Sequence, residues 1–512
     1  MKRIHVLIMG FSIGSIFTTN AQTPEEALRL GWNTSGGTAR YRAIGGTMGS
    51  LGGDITAAYV NPAGLGMYKT GEVVVSPGYS FSKVYSEFRG SKDSATKSAF
   101  DFGIIGAVFE DGPVALSINR TANFNNTVYY RGQNDLSSFS ESFAEEFSNS
   151  GLPINVDLYN AGLSLGTKLA NYTYLIDTLS LDRYTRVIGL PERDAILAGA
   201  SAIVNQEKRI ETRGGITELN IAIAAPVEPV YLGFSLGIPF VNYHRITTMN
   251  EADASGNSSN NFNYSRYHED YRLRGLGLVM RFGLLIRASK NFRWGIAVHR
   301  RAVYKLTQRQ TGSIEADLEN YFPRGNNIRR ATEDSIYTQF GADVPRYKFK
   351  LQSPWKFLIS ASYVLREVED VSKQRGFLTA DLEYVTYSSP RYSFFDGGID
   401  QYYYNVNHAI ERSYKNAFNF RAGGELKIKT VMARVGFGYY GSPYEDDALD
   451  ASTMTLSGGL GYRNKGLFID LTYVHSLNKD VNFPYRLRAK PNTFANVEEI
   501  RRNVVVTVGV KF

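Results

Sequence analysis

Val504-Val505-Val506-Thr507-Val508-Gly509-Val510-Lys511-Phe512 closes the chain, and its reading decides the fold. Val504, Val506, Val508, Val510 and Phe512 fall on one side of an extended backbone, and Val505, Thr507, Gly509 and Lys511 on the other. A period of two marks a strand with two different faces. The pattern recurs upstream. Leu467, Ile469, Leu471 and Tyr473 alternate with Phe468, Asp470 and Thr472; Phe418, Phe420, Ala422, Leu426 and Ile428 alternate with Asn419, Arg421, Glu425 and Lys427. Met454, Leu456, Leu460 and Tyr462 repeat it, as do Leu232, Phe234, Leu236, Ile238 and Phe240 around Gly233, Ser235 and Gly237.

A soluble sandwich turns such an apolar face inward; a membrane barrel turns it to lipid and lines its lumen with the polar face. Segment length favours the barrel. The runs are about 10–13 residues, against ~5–6 for strands of soluble sheets, and long enough to cross a bilayer. The start of the chain agrees. Lys2 and Arg3 precede an apolar run, Val6 to Phe17, and Thr19-Asn20-Ala21 offers a cleavage site before Gln22. This predicts an exported protein with a signal peptide over 1–21. The chain has no Cys among 512 residues, which excludes a disulfide scaffold, a Cys-zinc site and an iron–sulfur protein. A formal charge of +8 spread along the chain gives no nucleic-acid footprint.

Alternation places fourteen strands near 72–83, 99–110, 113–126, 216–224, 230–248, 264–287, 293–308, 355–366, 375–387, 416–428, 431–441, 453–463, 466–477 and 502–512. The connections alternate in length. Short ones fall at Asp111-Gly112, 225–229, 288–292, 367–374, Lys429-Thr430 and Asn464-Lys465. Long ones fall at 84–98, 127–215, 249–263, 309–354, 388–415, 442–452 and 478–501. An even strand count with short periplasmic turns and long external loops describes an outer-membrane barrel. The expectation is an all-β, 14-stranded antiparallel transmembrane barrel over 72–512, in a Gram-negative outer membrane. Residues 22–71 are Gly-rich and too long for a lead-in, and are expected to plug the lumen. The loop 127–215 is expected to carry helices, one through Phe139, Phe143 and Phe147 and one through Leu158, Ala161, Leu165 and Leu169. Their apolar faces must cover the barrel mouth or leave a groove for ligand.

The plug segment reads Gly37-Thr38-Ala39-Arg40-Tyr41-Arg42-Ala43-Ile44-Gly45-Gly46, then Leu51-Gly52-Gly53-Asp54, then Asn61-Pro62-Ala63-Gly64-Leu65-Gly66. With Asn-Pro-Ala just before the first strand and Phe512 last, the chain resembles the FadL/TodX family of outer-membrane transporters for fatty acids and other hydrophobic compounds. The resemblance implies a hatch carrying Asn61, Pro62 and Ala63, passive uptake of long-chain fatty acids or similar molecules, and release sideways through the wall. It implies contact with outer-membrane lipids, lipopolysaccharide and, through Phe512, the barrel-assembly machinery. FadL-like barrels also include PorV-like shuttles that bind secreted cargo, which is the alternative reading. Asn61-Pro62 has a local reading too, as a turn before the first strand.

Motifs with a catalytic look lack their context. Gly-x-Ser-x-Gly occurs at Gly10–Gly14, Gly162–Gly166 and Gly233–Gly237, but never as a strand, sharp turn and helix. Gly436-Phe437-Gly438-Tyr439-Tyr440-Gly441 matches a dinucleotide fingerprint without a βαβ unit. The six His (5, 244, 268, 299, 408 and 475) have no metal-ligand spacing, and Glu445, Asp446, Asp447 and Asp450 lack that of a calcium loop. No catalytic residue, metal or cofactor is expected. Arg324, Arg329 and Arg330 are candidates for lipopolysaccharide phosphates or a ligand carboxylate, against a solvated loop. The inward Asp381, Glu383, Arg421, Glu425 and Lys427 are candidates for a lumen charge network that orients a carboxylate ligand.

Overall fold

The structure is a computed structural model that describes residues 23–32, 36–109, 113–181, 184–197, 199, 201–365 and 375–512. The expected signal peptide over 1–21 and the turns at Asp111-Gly112 and 367–374 lie outside these residues. One antiparallel sheet closes on itself, with 14 strands crossing the wall. In order they are Glu72–Phe88, Ser91–Phe109, Val114–Asn123 continued by Asn126–Asn134, Val204–Val227, Val230–Asp253 and Tyr264–Arg287. The seventh to ninth are each in two pieces: Phe292–His299 with Val303–Asp317, Arg346–Gln352 with Lys356–Leu365, and Gly376–Val385 with Arg391–Phe394. Ala417–Ile428, Val431–Tyr440, Thr453–Asn464, Leu467–Asn482 and Ala495–Lys511 complete the set. The last pairs with the first from Glu72↔Lys511 to Glu87↔Asn496, which closes the sheet into a ring.

The faces are inverted relative to a soluble sheet. Val435, Leu456, Leu460 and Leu378 are 66%, 56%, 59% and 61% exposed on the outside, while Asp381, Arg421, Arg434 and Asp470 are buried inside. Only a hydrocarbon surround makes that arrangement favourable, at roughly 25 cal/mol per Å² of apolar surface kept from water. The wall is a transmembrane β-barrel of the outer-membrane kind.

All fourteen expected strands are present, but several long connections are not loops. The expected loop 84–98 is the continuation of the first two strands, joined by a turn at Arg89 and Gly90, both at positive φ (50° and 83°). Ser91-Lys92-Asp93-Ser94-Ala95-Thr96-Lys97-Ser98 is polar on both faces, so period two is silent there although the ladder runs on. The third strand likewise runs on to Asn134, and the fourth starts at Val204 with a largely polar stretch.

The external segment between them carries the helix Ser140–Ser150, as expected from the Phe spacing, and a second helix that starts only at Leu165 (Leu165–Tyr172). Ser164 caps it: its Oγ accepts from the Thr167 amide at 3.3 Å and donates to Glu146 at 2.6 Å. The expected helical turn through Leu158 and Ala161 is absent, because Pro153 and the cap at Ser164 interrupt the pattern. Phe143, Phe147, Leu165 and Leu169 pack on Met249, Phe262, Ile314 and Tyr485, which lid the barrel mouth.

Candidate functional site in the barrel lumen

Gly36 to Leu65 runs inside the barrel. Every residue of it is buried except Arg40, Tyr41 and Gly53, which are half-buried. It contains only short helical turns, Ala39–Ala43, Ala57–Val60 and Pro62–Met67, so its backbone must find partners elsewhere. The wall supplies them. Thr507 Oγ1 accepts from the Ala39 amide at 2.7 Å, and Thr472 Oγ1 donates to its carbonyl at 2.6 Å. Ser457 Oγ accepts from Gly45 at 3.2 Å and donates to the Ala43 carbonyl at 3.0 Å.

Asn61 is fully buried at the foot of this segment. Its Nδ2 donates to the Gly49 carbonyl at 2.6 Å and to the wall carbonyl of Leu284 at 3.0 Å, and its Oδ1 accepts from Ala63 at 3.2 Å. Pro62 opens the 3-10 turn that Asn61 caps. The three residues press against Gly233 and Gly283, which face each other across neighbouring strands; a Cβ on either glycine would collide with Asn61, Pro62 or Ala63. Gly423 and Gly436, another facing pair, leave the same room for Ile44 and Gly45. The dinucleotide-like Gly436 and the elbow-like Gly233 are thus wall glycines that let this backbone in, and Ser235 accepts from Asn220 Nδ2 at 2.7 Å. Their inward parity was the signal available in the sequence; what they face was not.

Asp381, Glu383, Arg421 and Glu425 meet the internal segment or one another. Asp381 accepts from the amides of Met48 (3.2 Å) and Gly49 (3.4 Å) and from Ser360 Oγ (2.6 Å). Arg421 lies 3.7 Å from Asp381 and 3.6 Å from Glu383, and Asn419 donates to Glu383 at 2.8 Å. Glu425 takes Arg434 at 2.6 Å and Arg40 at 3.3 Å. Lys427 faces inward one step below Glu425 and is half-buried. Sequence reasoning missed Arg42–Asp101 (3.3 Å), Arg293, which donates to the Leu51 carbonyl at 3.1 Å, and the Arg281–Glu218 fork at 2.6 and 2.9 Å. Removing one partner of such a buried pair costs about 3–5 kcal/mol, so Arg40–Glu425 and Arg42–Asp101 hold the segment in place while Arg281–Glu218 ties two wall strands.

The external half of the lumen is built of tyrosines. The helix Pro24–Gly31 lies among them, with Glu26, Ala27 and Leu30 buried. Tyr271 donates to Glu26 at 2.6 Å, Arg245 lies 3.5 Å from it and 2.8 Å from Glu269, and Arg29 donates to Tyr243. Tyr392 donates to the Thr23 carbonyl at 3.0 Å, and Trp32 stacks on Tyr387 at 5.4 Å.

The wall has one seam beside the internal segment. The second and third strands pair from Phe109↔Val114 up to Ile104↔Asn119 and no further. Above that level the second strand keeps only its ladder to the first, while the third shifts register at Arg120/Ala122 and follows the fourth. Side chains span the seam: Asn123 Nδ2 donates to Asp101 at 3.0 Å, and Arg131 lies 3.4 Å from Asp93. Gly37 stands at its foot, its amide donating to Asn119 Oδ1 at 2.8 Å.

Outside the lumen, Arg329 lies 4.2 Å over the Phe322 ring and Arg330 pairs with Glu315, so two of the three candidate loop arginines are engaged within their own loops.

No family model matches the sequence, and no curated protein does. Solved structures match in fold. The toluene transporter TodX of Pseudomonas putida superposes with a TM-score of 0.51 at 11% identity, over 94% of this chain and 100% of that one. A FadL homologue of Pseudomonas aeruginosa gives 0.50 at 13% identity, over 93% and 99%. The protein has the fold of these outer-membrane channels along nearly its whole length.

Proposed function

We propose that the protein is a passive outer-membrane channel for hydrophobic compounds, long-chain fatty acids foremost, with residues 36–71 as its hatch. The seam between the second and third strands carries this reading. A greasy molecule gains nothing from a watery pore, but a gap in a lipid-facing wall lets it leave the lumen directly for the bilayer. The tyrosine-lined upper lumen suits an amphiphile, and Arg245 with Tyr271 already holds one carboxylate, that of Glu26. The toluene transporter and the FadL homologue that share the fold suggest the same class of cargo. Ligand entry between the external segments would displace the helix Pro24–Gly31 before reaching the seam.

Uptake of labelled oleate and of toluene tests this, in a Gram-negative host lacking its own fatty-acid channel. Cells expressing the protein should accumulate oleate well above the empty-vector strain; toluene alone would keep the channel and remove the fatty acid, and neither would sink the reading. One patch favours a second reading, a shuttle for secreted cargo: Phe394, Phe395, Ile399 and Tyr404 are exposed within one external stretch. A stable complex with exported proteins and no uptake would support it.

A further inference from the structure

The outer surface of the sixth to eighth strands carries rows of cations. Arg272 of the sixth strand stands opposite Arg309 of the seventh, which stands opposite Arg346 of the eighth. One step down, Arg274 and Lys348 flank Thr307; below that, Lys305 stands opposite Lys350. All alternate with lumen-facing residues and so point outward; all are exposed except the half-buried Lys350. Like charges directly opposite on a sheet repel. The compensation present is small. Asp270 binds Arg272 at 2.9 Å and is shared with His244 at 3.0 Å, while Arg274, Arg309, Arg346 and Lys348 have no carboxylate within ion-pair distance among the described residues.

Depth places these rows. Outward Leu276, Leu278, Met280 and Phe282 lie directly beneath Arg274 on the same strand. From Arg287 at the periplasmic turn to Leu276 the strand climbs about 28 Å along the barrel axis, at ~3.4 Å per residue and ~40° tilt, the height of the apolar band. The cationic rows therefore begin where the outer-leaflet headgroups lie. Below this edge, level with Leu278 to Arg281 and so within the apolar band, the seventh and eighth strands both break, at 300–302 and 353–355, and the breaks form a cavity of about 250 Å³ lined by Arg300, Arg301, Val303, Gln352 and Trp355. Arg301 donates to Gln352 at 3.2 Å, but its buried Nε has no partner.

We propose that this face binds a phosphorylated glycolipid of the outer leaflet. Its phosphates lie across the Arg272–Arg309–Arg346 and Arg274–Lys348 rows, and its acyl chains lie along Leu276 and Leu278. Guanidinium forks suit phosphate oxygens, and headgroup anions remove the repulsion between facing cations. The site stands on the outer wall, independent of what the lumen carries.

The test is native mass spectrometry of the full-length protein, titrated with diphosphorylated lipid A in detergent. The wild type is compared with Arg309→Ala/Arg346→Ala/Lys348→Ala and with Lys83→Ala/Lys92→Ala on the opposite wall. The triple variant should bind at least tenfold more weakly and the opposite-wall variant like the wild type. Heat-shifted gel mobility reports folding; if the triple variant is not folded, Lys348→Ala alone, at an exposed unpaired site, should still weaken binding about threefold. Equal binding by wild type and folded variants overturns the proposal. So does equal binding of dephosphorylated lipid A, or full displacement by equimolar inorganic phosphate, which would make this a free-anion site.

Discussion

A methyl group on Gly283 would collide with Asn61 Oδ1 and stand 2.9 Å from the Ala63 amide. Backbone on one side and wall on the other leave no room for either to yield. Gly283→Ala should therefore push the Asn61–Ala63 turn off the wall, an overpacking cost of about 1–3 kcal/mol. Gly458→Ala is the control, since its nearest atom would be the Arg434 carbonyl at 3.8 Å. In planar bilayers Gly283→Ala should show more frequent or larger openings, and Gly458→Ala should match the wild type. Asn61 was legible as a motif residue because Asn-Pro-Ala is a recognisable string. Its contacts with Gly49 and Leu284 were not, since they join positions 12 and 223 residues apart.

At the scale of the element, the seam and the external helices make separate predictions. Asp101 and Asn123 face each other across the seam, and the chain has no Cys to compete. Asp101→Cys/Asn123→Cys should oxidise to a bridge that cuts hydrophobic uptake several-fold, with recovery on reduction; undiminished uptake in the bridged protein would rule out exit at this seam. Above the membrane, Glu251 accepts from Gln206 Nε2 at 2.7 Å, Ser138 Oγ at 2.7 Å and the Phe139 amide at 3.0 Å, tying the helix Ser140–Ser150 to the barrel. Burial pushes its carboxyl up to about 7. The raised value means the docked helix takes up a proton, so this contribution is full below about 4.5 and is lost as pH rises through about 7. The buried Glu192 beside Glu141 acts in the same sense, pushed up to about 9 by burial, with Lys490 at 2.8 Å partly offsetting it. Lys168, lowered to about 8 by burial, acts oppositely but only above that pH. Amide exchange over 138–150, corrected for the intrinsic pH dependence, should be slower at pH 5 than at pH 8, and Glu251→Gln should flatten much of the difference. The strand extension over 91–98 escaped the alternation because both of its faces are polar, and 126–134 because its apolar residues, Val128, Tyr129 and Tyr130, stand side by side and do not alternate.

For the whole molecule, the inverted faces set the response to a misplaced charge. Val435 sits mid-strand on the lipid side at 66% exposure. Val435→Arg should destabilise the barrel by about 2–4 kcal/mol in reversible urea unfolding from vesicles, whereas a soluble sandwich would tolerate a charge at so exposed a position. The sequence by itself determined the strand count and the barrel class, because a bilayer imposes a local period of two on every crossing strand and a run long enough to span it. It also marked residues 22–71 as different and Asn61-Pro62-Ala63 as a turn. Only the tertiary structure decided which wall glycines meet that turn, where the ladder between the second and third strands ends, and that cations of three strands share one height on the outer wall. Those are facts of register and closure, and they depend on residues that meet across the barrel while standing tens to hundreds of positions apart in the chain.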